Sequence, residues 1–145
     1  MPSFVRGFNV LSRCVALWRS RRLADADLKG CHHSYVYAVC HHPGLSQDEL
    51  AARLFINKSN VARHLAYLED RGLVRREPDA EDRRAMRVYP TEKMQELFPR
   101  MKEATEEFKC AVSRGISEEE MNVFLRVLEQ MALNAAEAVR EGEAQ

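Results

Sequence analysis

The sequence predicts a mainly α-helical protein of the α+β class that carries one small β-hairpin. Apolar residues recur at spacings of three and four along most of the chain, which is the pattern of helices with one buried face. Between residues 73 and 89 the spacing changes to alternation, which is typical of half-buried strands. No linker divides the 145 residues, so we predict a single domain over residues 1–145.

The N-terminal third contains two predicted helices. The first runs from Phe4 to about Arg22, with apolar residues on one side and arginines on the other. These arginines do not fit a secretory signal, and no apolar run in the chain approaches the roughly 20 residues that cross a bilayer. We therefore expect a cytoplasmic protein with no membrane partner. The second helical stretch, residues 31–42, ends at Pro43 and Gly44.

This second stretch reads CHHSYVYAVCHH, a repeated Cys-His-His triplet that does not by itself predict a metal site. On one helix, positions nine apart point to opposite sides, so Cys31 and Cys40 face away from each other. His33 and Cys40 share a face, but a rise of about 1.5 Å per residue separates them by about 10 Å, too far for one zinc ion. Another helix or a partner subunit would have to supply ligands, and the last two helices contain no histidine and only Cys110. We predict no metal and no cofactor.

Two short helices joined by a tight turn come next. The first, LSQDELAARLF, starts with Ser46 and Glu49 in capping-box spacing, in which each side chain accepts a hydrogen bond from the other residue's backbone N–H. The second, NKSNVARHLAYLEDRGLV, starts with Asn57 as its N-cap and stops at Gly72. Two predicted strands follow, over residues 73–76 and 85–89. A helix-turn-helix followed by a hairpin is the layout of a winged helix, whose second helix is the candidate for the major groove of DNA.

The helix that starts at Asn57 has an apolar side and a polar side. Val61, Leu65 and Leu68 share the apolar side, so helical geometry leaves the polar side for solvent. Arginine can bind a guanine edge through two hydrogen bonds, asparagine an adenine edge, and serine or lysine a phosphate. The candidate DNA-binding residues on this helix are Asn57, Lys58, Ser59, Asn60, Arg63 and His64.

The formal net charge of zero hides an uneven distribution. Counting lysine and arginine against aspartate and glutamate, residues 1–52 have 6 against 4, residues 53–93 have 10 against 7, and residues 94–145 have 6 against 11. A basic middle segment is typical of a module that contacts phosphates on one face. The acidic C-terminal segment forms two further predicted helices, residues 91–112 and the segment from Ser117 onward, and each carries a long apolar stripe.

The chain resembles the MarR family of bacterial winged-helix transcription regulators in the segment GLSQDELAARLFINKSNVARHLAYLEDRGLVRREPDAEDRRAMRVYPTEK. The motifs that carry the resemblance are the INKS turn, LEDRGLV and a hairpin bearing Asp-x-Arg. The resemblance implies a DNA-binding lobe over residues 31–90 and a helical dimerisation region over residues 1–24 and 91–145. One departure is that Pro90-Thr91-Glu92-Lys93-Met94 stands where the family usually has Leu-Thr-x-x-Gly, so the junction to the next helix is expected to differ locally.

The resemblance also implies which residues contact DNA. On the recognition helix these are Ser59, Asn60, Arg63 and His64. The family's wing-tip pair falls on Asp82 and Arg84, so Arg84 is expected to enter the minor groove, where negative potential attracts a guanidinium, while Asp82 holds it in place. Arg83 is expected to replace Arg84 or to bind a phosphate, and Arg75 and Arg76 are expected to lie at the wing base near the DNA backbone.

In this family both subunits contribute the first helix and the last two helices to a dimer. We therefore expect a homodimer whose recognition helices read inverted half-sites about 34 Å apart on double-stranded DNA. The expected function is that of a repressor released from its operator by a small-molecule effector, with phenolic or other small aromatic ligands as the leading class. The candidate effector-binding residues are Trp18, Arg22, His32, His33 and Tyr37.

Two alternatives stay open from the sequence. Cys14 lies in the first helix beside the positive charge of Arg13, an environment that activates a thiol, so an oxidant-sensing regulator is one alternative. The other is a winged helix that docks proteins and does not bind DNA. The chain has no Ser-His-Asp set, glycine-rich phosphate loop or metalloprotease spacing, so we predict that it is not an enzyme. The four cysteines are expected to be reduced thiols.

Overall fold

The computed structural model describes residues 3–143, and the side chains of residues 3–140. Within this range, six α-helices and three short strands follow one another. They are α1 Phe4–Arg22, α2 His33–His41, β1 Leu45–Ser46, α3 Gln47–Leu54, α4 Lys58–Asp70, β2 Val74–Pro78, β3 Met86–Pro90, α5 Glu92–Val112 and α6 Glu118–Glu143. The predicted α+β class, with a helix-turn-helix followed by a hairpin wing, is confirmed.

The helix ends of the helix-turn-helix lie where the capping residues predicted them. The Ser46 hydroxyl accepts a hydrogen bond from the Glu49 N–H (3.1 Å), and the Glu49 carboxylate accepts one from the Ser46 N–H (2.7 Å). This capping box satisfies two N–H groups that have no partner within α3. Asn57 is the N-cap of α4, and Gly72 follows its C-terminus with a φ of +66°, a conformation that glycine adopts without a steric penalty.

Three short features were not predicted. Two 3-10 turns, Ala24–Ala26 and Gly30–His32, follow α1, so α2 begins only at His33. The two-residue strand β1 is too short to show a periodicity. The hairpin strands also end one or two residues later than predicted. The later end of β3 follows from Pro90, which ends the ladder opposite Val74, while the N–H of the next residue, Thr91, donates to the Leu73 carbonyl (3.1 Å).

The strands form one antiparallel sheet in the order β1-β3-β2. Val88 of β3 lies opposite Leu45 on one side and Arg76 on the other. The sheet leads into α5 through Thr91, whose hydroxyl oxygen accepts a hydrogen bond from the Met94 N–H (3.3 Å). Met94 is helical and fully buried, so a methionine replaces the family's glycine here without a left-handed backbone.

One apolar cluster joins the helix-turn-helix, the sheet and the first half of α5. The three residues predicted for the buried side of α4 are each 0% exposed, which confirms that prediction. The largest fully buried members of the cluster are Leu23, Tyr35, Val36, Val39, Leu50, Val61, Leu65, Leu68, Leu73, Val74, Met94 and Met101. This cluster fixes the orientation of α4, so its opposite side is a defined surface.

The chain consists of two compact units, residues 1–108 and 109–145. In the first, α1 has no buried residue and exposes Phe4, Val5, Phe8, Val10, Leu11 and Leu17. In the second, α6 exposes Val123, Phe124, Leu125, Val127, Leu128, Met131, Leu133 and Val139. Across residues 3–143, none of the helices has the length and apolarity that crossing a membrane requires.

Gly30 is expected to be indispensable for the contact between α1 and the turn before α2. A Cβ at this position would lie 2.3 Å from the Ala16 carbonyl oxygen and 2.7 Å from its Cα, and these are backbone atoms that cannot rotate away. Gly30→Ala should therefore lower the free energy of unfolding by about 1–3 kcal/mol, as overpacking does in a close contact. Urea denaturation followed by circular dichroism measures this loss.

Gly7→Ala is the matched control for this substitution. Gly7 lies inside α1, and a Cβ there would meet nothing within 4 Å. Alanine is the better helix former, so Gly7→Ala should leave stability unchanged or raise it by about 0.5–1 kcal/mol. Equal effects of the two substitutions would contradict the close approach at Gly30.

Candidate nucleic-acid interface

The N-terminal turn of α4 is organised by Asn57. Its side-chain oxygen accepts hydrogen bonds from the Asn60 N–H (2.9 Å) and from the Ser59 hydroxyl (2.9 Å). The first of these bonds satisfies an N–H that has no partner within the helix. Ser59 remains exposed at the start of the helix. Asn57 therefore positions this turn, while Ser59 is accessible to a ligand.

Asn60 and Arg63 form a pair on the polar side of α4. The Arg63 guanidinium donates to the side-chain oxygen of Asn60 (2.7 Å), and Arg63 has no carboxylate partner among the described residues. Lys58 differs, because its Nζ lies 2.8 Å from the Asp48 carboxylate of α3, with both side chains largely exposed. Ion pairs between exposed side chains contribute little to stability, so a phosphate can displace Asp48 from Lys58.

His64 does not point outward as predicted. Its ring packs against His32 (5.3 Å between ring centroids) and Tyr35 (5.0 Å), and the residue is partly buried. Burial lowers the pKa of His64, and burial together with the neighbouring His64 lowers the pKa of His32 to about 4. Both imidazoles are therefore neutral at neutral pH. Spacing along α4 could not reveal this position, because the rings that hold His64 come from the turn before α2 and from α2 itself.

Asp79 organises the wing tip, and the sequence analysis did not select it. Its carboxylate accepts hydrogen bonds from the N–H groups of Glu81 (2.7 Å) and Asp82 (3.0 Å) and pairs with the Arg87 guanidinium. Asp82 in turn accepts a hydrogen bond from the Arg84 N–H (3.0 Å). Asp82 thus holds the backbone of Arg84 and leaves its guanidinium unengaged. The run Pro-Asp between two strands was the available signal, because aspartate favours turns through such bonds.

The wing tip presents two cations. Arg83 and Arg84 are exposed, and their guanidinium groups have no ion-pair partner among residues 3–140. Arg84 and Asp82 line a surface groove of about 320 Å³ together with residues from the start of α3, namely Ser46, Gln47 and Asp48. The groove therefore joins the wing to the N-terminus of α3.

The two arginines of β2 point in different directions. Arg75 is half-exposed, lies over the Tyr89 ring (4.7 Å from guanidinium carbon to ring centroid) and pairs with Glu77. Arg76 is less exposed and pairs with Glu69 of α4. Alternation along the strand thus leaves Arg75 accessible at the wing base, whereas Arg76 links the wing to the recognition helix.

Replacing Asp79 by asparagine is expected to destabilise the protein at neutral pH and to have little effect in acid. Hydrogen bonds from the Asp82 backbone and from Arg87 lower the pKa of Asp79 from 3.8 to about 2. Because the folded pKa lies below the unfolded one, the carboxylate stabilises the fold fully above pH 3.8 and loses this contribution as the pH falls to about 2. Urea denaturation over this pH range should show that the difference in free energy of unfolding between wild type and Asp79→Asn becomes smaller as the pH falls. Glu81→Gln, which removes a charge but none of these bonds, is the control, and a pH-independent difference would refute the assignment.

The predicted effector-binding residues fall into two groups. Trp18, Arg22 and His33 face α5: the Trp18 Nε1–H donates to the Ala104 carbonyl (3.0 Å), Arg22 pairs with Glu107 (2.6 Å), and His33 shares a hydrogen bond with Thr105 (3.0 Å). Tyr37 is exposed and stacks on His33. His32 lies apart from them, stacked on Tyr67 of α4.

A larger cavity lies elsewhere in the first unit. It measures about 420 Å³ and contains none of the five predicted effector residues in its lining. Its cations already have partners: Arg71 pairs with Asp27, Arg100 with Asp25 (2.9 Å), and Lys93 donates to the Arg71 carbonyl (2.8 Å). All four cysteines are free, and Cys14, the predicted redox residue, is exposed in α1.

Comparison with known proteins agrees with this geometry. The MarR family profile matches residues 26–85, which contain the helix-turn-helix and most of the wing. A crystal structure of MarR is similar with a TM-score of 0.89 and 25% identity, over 97% of this chain and 95% of that chain. Residues 26–85 belong to the MarR family. A MarR transcriptional regulator from Methanosarcina mazei Go1 has a TM-score of 0.88 at 25% identity, over 92% of this chain and 96% of that one.

One further MarR-family structure was solved with DNA. This regulator from Listeria monocytogenes, complexed with 26mer DNA, has a TM-score of 0.87 and 23% identity, over 95% of this chain and 92% of that chain. At this identity the likeness shows the fold. MarR-family proteins are transcriptional regulators and not enzymes, which confirms the predicted class of this chain.

Proposed function

We propose that this MarR-family chain is a dimeric repressor that binds an inverted-repeat operator in double-stranded DNA. The observation that carries the proposal is the wing tip. Arg83 and Arg84 have no ion-pair partner among the described residues, on a turn whose backbone Asp79 and Asp82 hold through hydrogen bonds. Cations that neutralise no carboxylate of the fold, on a turn whose backbone is held in place, are suited to phosphates and to the negative potential of the minor groove.

The recognition helix α4 supplies the base contacts in this proposal. Arg63 and Asn60 are the reading pair, because arginine recognises guanine and asparagine adenine through two hydrogen bonds each. Ser59 and Lys58 bind the phosphates that flank them, and Arg75 contacts the backbone from the wing base. His64 contributes less than the sequence suggested, since its ring is partly buried against His32 and Tyr35. Asn57 acts by capping α4.

The second subunit is another copy of this chain. Helix α1 and helix α6 each expose a series of large apolar side chains, which single soluble domains rarely leave in contact with water. Burying them in a two-fold dimer would place two recognition helices about 34 Å apart, which is one turn of DNA. A protein that regulates transcription in this way works in the bacterial cytoplasm.

In this proposal, a small phenolic or other aromatic molecule binds the protein and releases it from the operator. Trp18 and Tyr37 offer aromatic surfaces, and Arg22 offers a cation for a ligand carboxylate in exchange for its present partner, Glu107. Oxidation of the exposed Cys14 is the second candidate signal. Titration of the protein–operator complex with salicylate or with hydrogen peroxide separates the two signals.

Selection of bound fragments from the source genome tests the proposed function. The expected result is an inverted repeat beside an identifiable gene, bound with an affinity that falls steeply with salt in proportion to the phosphates neutralised. A winged helix that only docks proteins would enrich no sequence and would show no salt-dependent affinity for DNA. That outcome would overturn the proposal.

A further inference from the structure

Three residues with metal-binding side chains meet between α4 and the turn that precedes α2. Cys31 and His32 lie in the turn Gly30–His32, and His64 reaches them from α4. The Cys31 Sγ and one ring nitrogen of each histidine all lie within 4.8 Å of one another. Helical spacing within residues 31–42 could not reveal this group, because its third member comes from the recognition helix.

We propose that Cys31, His32 and His64 bind a zinc ion, with a water molecule as the fourth ligand. This departs from the prediction that the chain has no metal site. Zinc prefers thiolate sulfur and imidazole nitrogen, at about 2.3 Å and 2.0–2.1 Å. Ligand atoms of such a tetrahedron lie about 3.3–3.8 Å apart, so a group within 4.8 Å closes around the ion by shifts of about 1 Å. Side-chain rotation alone can supply such shifts, because Cys31 is exposed and His64 only partly buried.

An unpartnered hydroxyl beside this group supports the fourth, water ligand. Tyr35 is 1% exposed, and its buried hydroxyl has no hydrogen-bond partner in the described part of the chain. Its ring lies 5.0 Å from the His64 ring. Buried hydroxyl groups nearly always have a partner. A water molecule bound to zinc would provide one.

Zinc binding changes the protonation of Cys31 and the hydrogen bonding of His32. Cys31 binds as the thiolate and releases its proton to solvent. The Lys29 N–H donates to Nδ1 of His32 (3.2 Å), so Nε2 carries the proton in the neutral ring. Binding of zinc by either ring nitrogen of His32 breaks the hydrogen bond from Lys29, because Nδ1 either gives its lone pair to the ion or takes the proton that Nε2 releases. Ion binding therefore rearranges residues 29–32 at the same time as it joins them to α4.

The regulatory consequence rests on the proposed function, whereas the site itself does not. A zinc ion with one thiolate adds a single net positive charge beside α4, next to Arg63. We expect this charge to strengthen operator binding at least about threefold at low ionic strength, with an effect that shrinks as salt screens it. By linkage, operator DNA should raise the affinity for zinc by the same factor.

Cobalt and zinc titrations of the full chain, after chelator treatment, test the site. One equivalent of Co²⁺ per chain should produce the thiolate-to-metal absorption and the intense visible bands of a tetrahedral site, and Zn²⁺ should displace it. Cys31→Ser should remove the thiolate absorption and lower zinc affinity at least about 100-fold. Cys14→Ser and His41→Gln are matched controls, because these exposed residues lie outside the group, and both should bind like wild type.

Two results would overturn the site. One is the absence of a thiolate absorption from the wild-type Co²⁺ complex. The other is zinc affinity that survives in Cys31→Ser. His64→Gln provides a second test of the same ligand set, with circular dichroism to check that the variant is folded, and it should also lose zinc affinity.

Operator titrations with and without Zn²⁺ test the coupling separately. Zinc should strengthen binding by wild type and have no effect on Cys31→Ser, which keeps every proposed DNA contact. Unchanged or weakened operator binding on zinc addition would overturn the coupling while the Co²⁺ spectrum still decides the site. Zinc binding without any operator binding would overturn the proposed function and leave the site standing.

Discussion

Arg84→Ala is expected to weaken operator binding at least about tenfold without unfolding the dimer. The Arg84 side chain is exposed and has no ion-pair partner among the described residues, so its removal costs the folded protein no contact that supports the wing. The hydrogen bond from its backbone N–H to the Asp82 carboxylate (3.0 Å) is kept in the variant. The whole effect should therefore appear in the complex, where we propose that the guanidinium occupies the minor groove. Fluorescence anisotropy on the selected operator measures it.

Two other arginine variants show whether the loss of affinity in Arg84→Ala is specific to this residue. Arg83→Ala removes the neighbouring charge from the same turn, and it should weaken specific and non-specific DNA alike, as loss of a phosphate contact does. Arg114→Ala removes an exposed charge from the turn between α5 and α6 and should leave operator affinity unchanged. If Arg84→Ala binds as tightly as wild type, the wing does not contact the minor groove through this residue.

The helices and their ends could be predicted because local chemistry determines them. Ser46 with Glu49, Asn57 and Gly72 each act on backbone groups within a few residues, so their effect is visible in the sequence. Strand β1 and the 3-10 turns could not be predicted. A two-residue strand has no period, and the turn at residues 30–32 depends on Gly30 packing against the Ala16 backbone, a contact between residues far apart in the chain.

The candidate site was predicted less completely than the fold. Helical spacing alone correctly placed Val61, Leu65 and Leu68 in the core. It could not show that the ring of His64 turns toward His32 and Tyr35, because those rings belong to other elements. The sequence also could not show which arginines and lysines form ion pairs, because their carboxylate partners lie on other elements or further along the chain.

The positive charge of residues 53–93 is divided by the fold into two sets. Four of its arginines pair with carboxylates and act within the structure, namely Arg71, Arg75, Arg76 and Arg87. Four others have no carboxylate partner among the described residues: Arg63, Arg83 and Arg84 lie on α4 or on the wing tip, and Arg53 lies on α3 beside His42. Three of the four arginines without a carboxylate partner therefore lie on the elements that a winged helix presents to DNA.

Phe124→Asp combined with Leu128→Asp is expected to convert the proposed dimer into monomers. The two side chains are 46% and 37% exposed and lie one turn apart on α6. Burying a large apolar side chain contributes about 1.5–3 kcal/mol, so four such groups in a two-fold interface contribute at least about 6 kcal/mol. Losing that contribution raises the dimer dissociation constant by roughly 10⁴-fold, before any cost of burying charge. Sedimentation equilibrium measures the change.

Operator affinity should fall with the dimer, because each monomer then binds only one half-site. The linked second contact is lost, which costs at least about 100-fold in affinity. Asn122→Asp combined with Gln130→Asp is the matched control. It adds the same two charges to exposed positions which, at about 100° per residue, lie on the opposite side of α6, and it should stay dimeric with unchanged operator affinity. If the Phe124 and Leu128 variant remains a dimer that binds its operator normally, the interface between subunits does not include this stripe of α6.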